Sequence, residues 1–170
     1  MLGRPELSPR QRADRFAEFA ELLDQLLTND RTTWRGDYYE SVDARSTPGC
    51  VQQPRVPFVM AANGKRSLAL AARFGQGWVT TGPGGDDLDA WWEGVAELSR
   101  RYEGTGDRYL MLDSAPRFSL SSASFFEEQV GRAAELGFTD VLTHWPRPSS
   151  WYAGDEAVLD EVATSVLPRL

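Results

Sequence analysis

Apolar positions near the start of the chain recur at the period of a helix face. From Phe16 to Leu27 an apolar side chain returns every three or four residues, which is typical of an amphipathic helix. Just before this stretch lie an N-cap, a first-turn proline and a capping-box partner, namely Ser8, Pro9 and Gln11. We therefore predict a leading helix within residues 1–30.

The pattern changes between residues 31 and 56. β-branched and aromatic residues flank a Gly36-Asp37 turn there, which favours a small hairpin or an irregular excursion. Turn-forming residues follow and interrupt any helix before the next segment: Pro48, Gly49, Pro54 and Pro57.

From residue 57 onwards, short apolar runs alternate with helical patterns. Strands are predicted over 57–61, 77–81, 108–113 and 138–144, and helices over 64–74, 86–103, 124–136 and 155–167. The strand starts are 20, 31 and 30 residues apart, close to the roughly 30 residues per unit of a (β/α)₈ barrel. The fold class predicted is α/β: one partial TIM barrel domain over 1–170, with about four parallel βα units in 57–170. An open doubly wound sheet is the alternative, since the pattern does not give the strand order.

Local residues also predict where the helices begin and end. Asp86 and Asp87 favour a helix start. Ser124 with Glu127 has the spacing of a capping box, and Gly137 is well placed to end that helix.

Charge and cysteine content narrow the classes of function. A net charge of −7 argues against a general binder of nucleic acid or of anionic membranes, because such surfaces need a basic excess. No apolar stretch approaches the roughly 20 residues that span a bilayer, and the polar start does not resemble a signal peptide. Cys50 is the sole cysteine, so no intrachain disulfide or cysteine-rich metal site is predicted and the expected location is the cytoplasm.

The turn after the first buried strand is built from small residues. Ala61, Ala62, Asn63 and Gly64 allow another molecule to approach the backbone, and a helix with Lys65 at its start follows at once. Unpaired first-turn amides and the helix dipole attract an anion by about 0.3–1 kcal/mol. The turn is thus a candidate phosphate site, with an ordinary tight strand-to-helix connection as the alternative.

The chain contains the segments RADRFAEFAELLDQLL, TTWRGDYYESVDARSTPGCVQQPRVPFVMAANG, SLALAARFGQGWVTTG and GFTDVLTHWPRP. Their order and spacing resemble the C-terminal half of the bacterial luciferase-like monooxygenase superfamily, specifically its deazaflavin-dependent oxidoreductases. RADRFAEFAELLDQLL is similar to the family's fourth barrel helix, and TTWRGDYYESVDARSTPGCVQQPRVPFVMAANG to its excursion and fifth strand. SLALAARFGQGWVTTG resembles the segment running into the sixth strand, and GFTDVLTHWPRP resembles the eighth.

The resemblance implies a hydride transfer between an 8-hydroxy-5-deazaflavin coenzyme and a small organic substrate. An FMN-dependent monooxygenase is the alternative on the same scaffold. The resemblance further implies that the cofactor lies against Ala61, Ala62, Asn63 and Gly64 and is lined by Thr80, Thr81 and Gly82. Asn63 stands where many members carry glycine.

His144 and Trp145 end the last predicted strand and are candidates for touching substrate or cofactor. His144 is the only histidine and a candidate for moving a proton near neutral pH, although a structural hydrogen-bonding role is the alternative. Asp113 ends the third of these strands, where helix capping or solvation is expected.

Whether the chain is an enzyme by itself stays open at this stage. The family takes much of its catalytic machinery from its first four strands, and a half-barrel leaves its inward side chains in water. We therefore expect a truncated reading frame, a first half supplied by another polypeptide, or a homodimer that closes the barrel. A non-catalytic assembly subunit is a further alternative.

Overall fold

A computed structural model describes residues 6–170. Helix α1 (Pro9–Thr28) begins as predicted. The Ser8 amide donates to Gln11 Oε1 at 3.0 Å, and the Gln11 amide donates to Ser8 Oγ at 3.3 Å. This reciprocal pair confirms the capping box. Residues 1–5 of the predicted leading segment lie outside the described residues.

The predicted hairpin is confirmed. Strands β1 (Arg31–Arg35) and β2 (Glu40–Arg45) pair antiparallel. In the turn between them, the amide of Gly36 donates to the carbonyl of Tyr39 at 3.0 Å. A Cβ atom at Gly36 would lie 2.0 Å from Glu18 Oε1, so any larger residue there would displace the Glu18 carboxylate.

The carboxylate of Glu18 in α1 holds the hairpin to that helix. Glu18 accepts hydrogen bonds from the amides of Asp37 at 3.0 Å and Tyr39 at 2.7 Å. It also accepts from the Tyr38 amide and from the indole Nε1 of Trp34, at 3.1 Å and 3.3 Å. The hairpin is therefore held to α1 through polar contacts as well as by packing.

Four parallel strands form the main sheet. They are β3 (Val59–Ala61), β4 (Gly77–Thr80), β5 (Asp107–Met111) and β6 (Asp140–Leu142). Their order in the sheet is the order in the chain. A doubly wound sheet reverses its strand order at a crevice, and the described strands show no such reversal.

Helices cover one face of this sheet: α2 (Lys65–Phe74), α3 (Leu88–Arg101) and α4 (Ala123–Glu135), with α5 (Glu156–Glu161) nearer the end of the chain. Met60, Trp78 and Leu110 are buried against this helical layer. The ring of Trp78 stacks on that of Tyr102 with 4.6 Å between centroids. Apolar burial on this side forms the core.

The other face of the sheet lies uncovered. It carries the alternate strand residues, among which Val59 is 52% exposed and Leu142 is 42% exposed. Val79 and Met111 on the same face are half-buried. The alternate side chains on this face are thus exposed or half-buried.

Several element boundaries differ from the sequence expectations. Asp87 caps α3 as predicted, with Oδ1 accepting from the Ala90 amide at 2.7 Å. The capping box at Ser124 was wrong: the cap of α4 is Ser122, whose Oγ accepts from the Phe125 amide at 3.1 Å. The earlier start lets the first turn of α4 bury Ala123 and Phe125.

The last predicted helix, 155–167, was also wrong as one regular element. After α5 the chain continues as a π-helical turn over Val162–Val166 and a 3₁₀ turn over Leu167–Arg169. Val162 and Val166 are both buried. The wider turn thus places both valine side chains on the core.

Each strand is shorter than its predicted range. Strand β3 begins only at Val59, and β6 is limited to Asp140–Leu142. Met111 is followed directly by a 3₁₀ turn over Leu112–Ser114. Within residues 6–170, no helix combines the length and the apolar character that crossing a bilayer requires.

Candidate functional site

The carboxyl ends of β3 and β4 enclose a shallow cavity of about 270 Å³. Its walls contain five of the seven residues predicted to hold a cofactor: Ala61, Ala62, Asn63, Thr80 and Thr81. Ser67, Val79 and Met111 complete the lining. The structure therefore brings most of the predicted set to one concave surface, while its role in holding a cofactor stays a prediction.

The side chain of Asn63 cross-links the two strand exits. Asn63 Oδ1 accepts from the hydroxyl of Thr80 at 2.6 Å. Asn63 Nδ2 donates to Thr81 Oγ1 at 3.1 Å and to the carbonyl of Gly82 at 3.0 Å. Because these contacts occupy the side-chain amide, an approaching ligand meets mainly the backbone of the Asn63 turn.

Gly64 and Gly82 are not among the residues that line the cavity. Gly64 caps α2, and its amide donates to Ser67 Oγ at 3.2 Å. The amides of the first turn of α2 have no acceptor within their own helix, so this end of α2 presents donors to an anion.

Gly82 has a structural reason to be glycine. Its φ is +66°, and a Cβ there would lie 2.7 Å from the indole of Trp91. Trp91 is 1% exposed, so the Gly82 backbone packs directly on the core.

Lys65 faces away from the predicted phosphate site. Its side chain lines a separate groove between α2 and α3, shared with Glu97, Arg100 and Glu103. Although Lys65 starts the helix that follows the Ala61–Gly64 turn, its side chain is therefore not part of the cavity wall beside that turn.

The carboxyl ends of β5 and β6 carry a different kind of cluster, centred on Asp113. The side chain of Asp113 is fully buried, at 0% exposure. Asp113 Oδ1 accepts from the Ser119 amide at 3.0 Å, and Oδ2 accepts from the Thr143 hydroxyl at 2.9 Å. The amide of His144 also donates to Oδ2. Of the two roles expected for Asp113, solvation was wrong, because the 3₁₀ turn after β5 directs the carboxylate inward. Its contact with the Ser119 amide lies at the start of a second 3₁₀ turn, Ser119–Ser121.

His144 is held by this buried carboxylate. Its Nδ1 lies 3.2 Å from Asp113 Oδ2, and its side chain is 33% exposed. The imidazole stacks on the ring of Tyr152 with 4.0 Å between centroids and 9° between planes. Next to it, Trp145 is 63% exposed and donates from Nε1 to Glu156 Oε1 at 2.9 Å.

Sequence reasoning missed the pairing of Asp113 with His144 and the contribution of Tyr152. One signal was present: Asp113 and His144 each follow a strand, and β5 and β6 are neighbours in a parallel sheet. Parallel neighbours bring their carboxyl ends to one edge, so polar residues at adjacent exits meet.

The two clusters lie on the same edge of the sheet but at opposite ends of it. Three strand spacings of about 4.8 Å separate β3 from β6, or roughly 14 Å along the sheet. His144 and Trp145 do not line the cavity beside Asn63. The cavity offers backbone and small side chains, whereas the second cluster offers a positioned imidazole.

The chain matches a known protein family. The family model for "Luciferase-like monooxygenase" matches residues 2–120, well over half of the chain. Its match ends before β6, so the resemblance of the last strand lies outside it.

Curated relatives share part of the sequence. A protein named F420-dependent glucose-6-phosphate dehydrogenase, from Kineococcus radiotolerans, is 35% identical over 127 residues, covering 69% of this chain and 37% of the relative. A namesake from Amycolatopsis mediterranei is 37% identical over 81 residues, covering 46% and 23%. An F420-dependent hydroxymycolic acid dehydrogenase from Mycobacterium tuberculosis is 33% identical over 70 residues, covering 41% and 19%.

The chain spans less than two fifths of the length of these three relatives. The region that the family model matches nevertheless contains the cavity at the β3 and β4 exits. Because the family model matches most of its residues, the chain belongs to the luciferase-like monooxygenase family. The resemblance found in the sequence predicted this family.

Proposed function

We propose that the protein is part of an F420-dependent oxidoreductase and that it holds the deazaflavin coenzyme at the exits of β3 and β4. The observation that carries this proposal is the cavity that gathers Ala61, Asn63 and Thr80 beside the start of α2. The three relatives described above all carry F420-dependence in their names.

The residues present fit an anionic, nucleotide-like tail. Small side chains leave the backbone open, and the start of α2 offers amide donors without a side-chain cap. A cavity of about 270 Å³ is smaller than the roughly 300–1,000 Å³ of complete small-molecule sites. The chain therefore supplies one wall of the cofactor site, and the rest of the coenzyme needs a second wall.

When bound, the deazaflavin supplies the hydride chemistry. The chain's own residues bind and orient: the Ala61–Gly64 turn receives the anionic tail, and the Asn63 cross-link keeps the two strand exits together. The substrate is a small organic molecule that approaches the same rim, where His144 and Trp145 are the residues proposed to contact it. We place this activity in the cytoplasm, which suits a chain with Cys50 as its sole cysteine.

Titrating the protein with F420 and, separately, with FMN tests which cofactor it binds. Fluorescence follows each titration. We expect F420 to bind more tightly than FMN. Ala61→Asp places a negative charge in the cavity and should weaken F420 binding about fivefold or more, which corresponds to roughly 1 kcal/mol. Gly84→Asp is the matched control, because a side chain at this exposed loop position meets nothing within 4 Å.

The outcomes separate the alternatives. Tighter binding of FMN would favour the FMN-dependent monooxygenase. Binding of neither cofactor, or equal weakening by both aspartate substitutions, would contradict a cofactor site at this cavity.

The uncovered sheet face supports a second part of the proposal, which concerns assembly. Val59 and Leu142 are apolar and about half exposed on this face, and β3 and β6 each pair with only one of the described strands. We propose that a second copy of the chain covers this face, with a separate polypeptide corresponding to the other half of the relatives as the alternative occupant. Sedimentation of the purified chain distinguishes the two.

A further inference from the structure

We propose that Asp113 is a positioning residue that fixes the tautomer of His144 and presents the imidazole Nε2 at the rim as a hydrogen-bond acceptor. The contacts around the buried carboxylate carry this inference. It goes beyond the proposed function, because it holds whether the coenzyme is a deazaflavin, FMN or neither.

Asp113 is the acceptor in the hydrogen bonds that surround it. A carboxylate only accepts hydrogen bonds, and this one is fully buried, so every contact must come from a donor. The amides of Ser119 and His144 are donors that cannot reverse. The Thr143 hydroxyl, 2.9 Å away, donates as well, which leaves Ser119 Oγ to donate to Thr143 Oγ1 at 2.7 Å. The direction of each hydrogen bond is thereby set.

The Asp113 carboxylate also determines which imidazole nitrogen carries the proton. His144 Nδ1 lies 3.2 Å from Asp113 Oδ2, and two acceptors at that distance would repel. Nδ1 therefore carries the hydrogen. A neutral imidazole has one N–H, so Nε2 keeps its lone pair.

The ring plane is fixed by a second contact. Tyr152 stacks on His144 at 4.0 Å with 9° between the planes. A ring held at its edge by Asp113 and at its face by Tyr152 cannot turn freely, so the Nε2 lone pair has a defined direction. With the side chain 33% exposed, a ligand can reach it.

The chemistry defines the class of group that this site receives. An imidazole acceptor pairs with a donor, so the matching ligand group is a hydroxyl, such as that of an alcohol substrate, or an amine. The exposed indole of the adjacent Trp145 adds apolar surface beside it.

Nuclear magnetic resonance tests the tautomer directly, since His144 is the only histidine of the chain. In the ¹⁵N-labelled full chain at alkaline pH, long-range ¹H–¹⁵N spectra show one imidazole. We expect Nδ1 to give the shift of a protonated nitrogen and Nε2 that of an unprotonated one. The reverse pattern in the wild-type protein would overturn the proposal.

Two variants test whether Asp113 is the cause. Asp113→Ala removes the acceptor, so the imidazole should move toward the Nε2–H tautomer that free histidine favours. Asp107→Asn removes an exposed carboxylate from the same strand and should leave the tautomer unchanged. An unchanged tautomer in folded Asp113→Ala would overturn the positioning role, and the wild-type spectrum decides the assignment even if this variant does not fold.

Accessibility of Nε2 has its own measurement. Diethyl pyrocarbonate acylates an unprotonated imidazole nitrogen, so His144 in the folded chain should take up one ethoxycarbonyl group, mapped to Nε2. Uptake at Nδ1, or none before unfolding, would overturn the presentation of Nε2 at the rim.

Discussion

The two faces of the four-stranded sheet are built from alternate residues of the same strands, yet only one of them is covered. Leu110 in β5 faces the helices and is 0% exposed, whereas Leu142 in β6 faces the other way and is 42% exposed. Leucine at both positions shows that residue type alone does not decide burial. The covered face is a finished core, whereas the open face keeps apolar side chains such as Val59 and Leu142 partly in water, with the exposed Asp107 and Asp140 on the same face.

Replacing each leucine by alanine gives the largest difference between the two faces. Leu110→Ala leaves a cavity in close-packed surroundings and should lower the free energy of unfolding by about 2–5 kcal/mol. Leu142→Ala removes side-chain surface that is partly in water already and should cost about 1 kcal/mol or less. Urea unfolding at low protein concentration measures both values.

Equal costs for the two substitutions would contradict the difference between the faces. A cost at Leu142 that rises with protein concentration would instead show that a second copy buries this leucine, because binding to the folded state adds to its apparent stability.

A charge introduced on the open face tests whether a second copy of the chain covers that face. Val59→Lys should change the stability of the isolated chain by only about 0.5 kcal/mol, since Val59 is 52% exposed. It should abolish assembly, however, because the ammonium group would be buried in the interface. Sedimentation measures this as a shift from twice the mass of the 19.0 kDa chain to the monomer mass.

Val51→Lys is the matched control, because Val51 is 94% exposed and lies outside the sheet. It should leave the assembly intact. A wild-type chain that sediments as a monomer would contradict closure by a second copy and leave a separate polypeptide as the occupant.

The same contrast explains how much of the fold the sequence could predict. Local patterns were sufficient for α1, the hairpin and the alternation of strands and helices, because each depends on residues close together in the chain. The cap of α4 was misplaced because Ser122 and Ser124 both suit an N-cap, and tertiary burial of Ala123 and Phe125 decides between them. The π-helical turn at Val162–Val166 has no local pattern that distinguishes it from a regular helix.

The two clusters of the candidate site also differ in how far the sequence could predict them. The Ala61–Gly64 turn was predictable because a strand exit followed directly by a helix start is a local feature. The environment of Asp113 depends on His144, which is 31 residues away along the chain. Burial of this carboxylate therefore became visible only when the neighbouring strand exits were placed together.

The hairpin differs from the apolar core because a carboxylate, that of Glu18, holds it to α1. Partial burial raises the pKa of Glu18, but hydrogen bonds from the Tyr39, Tyr38 and Asp37 amides and the Trp34 indole outweigh it, so the pKa lies below its ordinary value of 4.5. A folded-state pKa below the unfolded one means that the stabilisation is present above about pH 4.5. It is lost as the pH falls through the lower, folded-state value.

The smallest expected effect is therefore one that depends on pH. Glu18→Gln should speed hydrogen exchange at the amides of Tyr38 and Tyr39 at pH 7, because a carboxamide cannot accept every hydrogen bond that the carboxylate accepts. Below the pH at which Glu18 protonates, wild type and variant should converge. Glu21→Gln on the same helix is the control, since its exposed pair with Arg73 at 3.6 Å contributes little. A difference between wild type and Glu18→Gln that is independent of pH would show that the charge of Glu18 does not hold the hairpin. The contrast between a hairpin held by a charge and an apolar core would then be wrong.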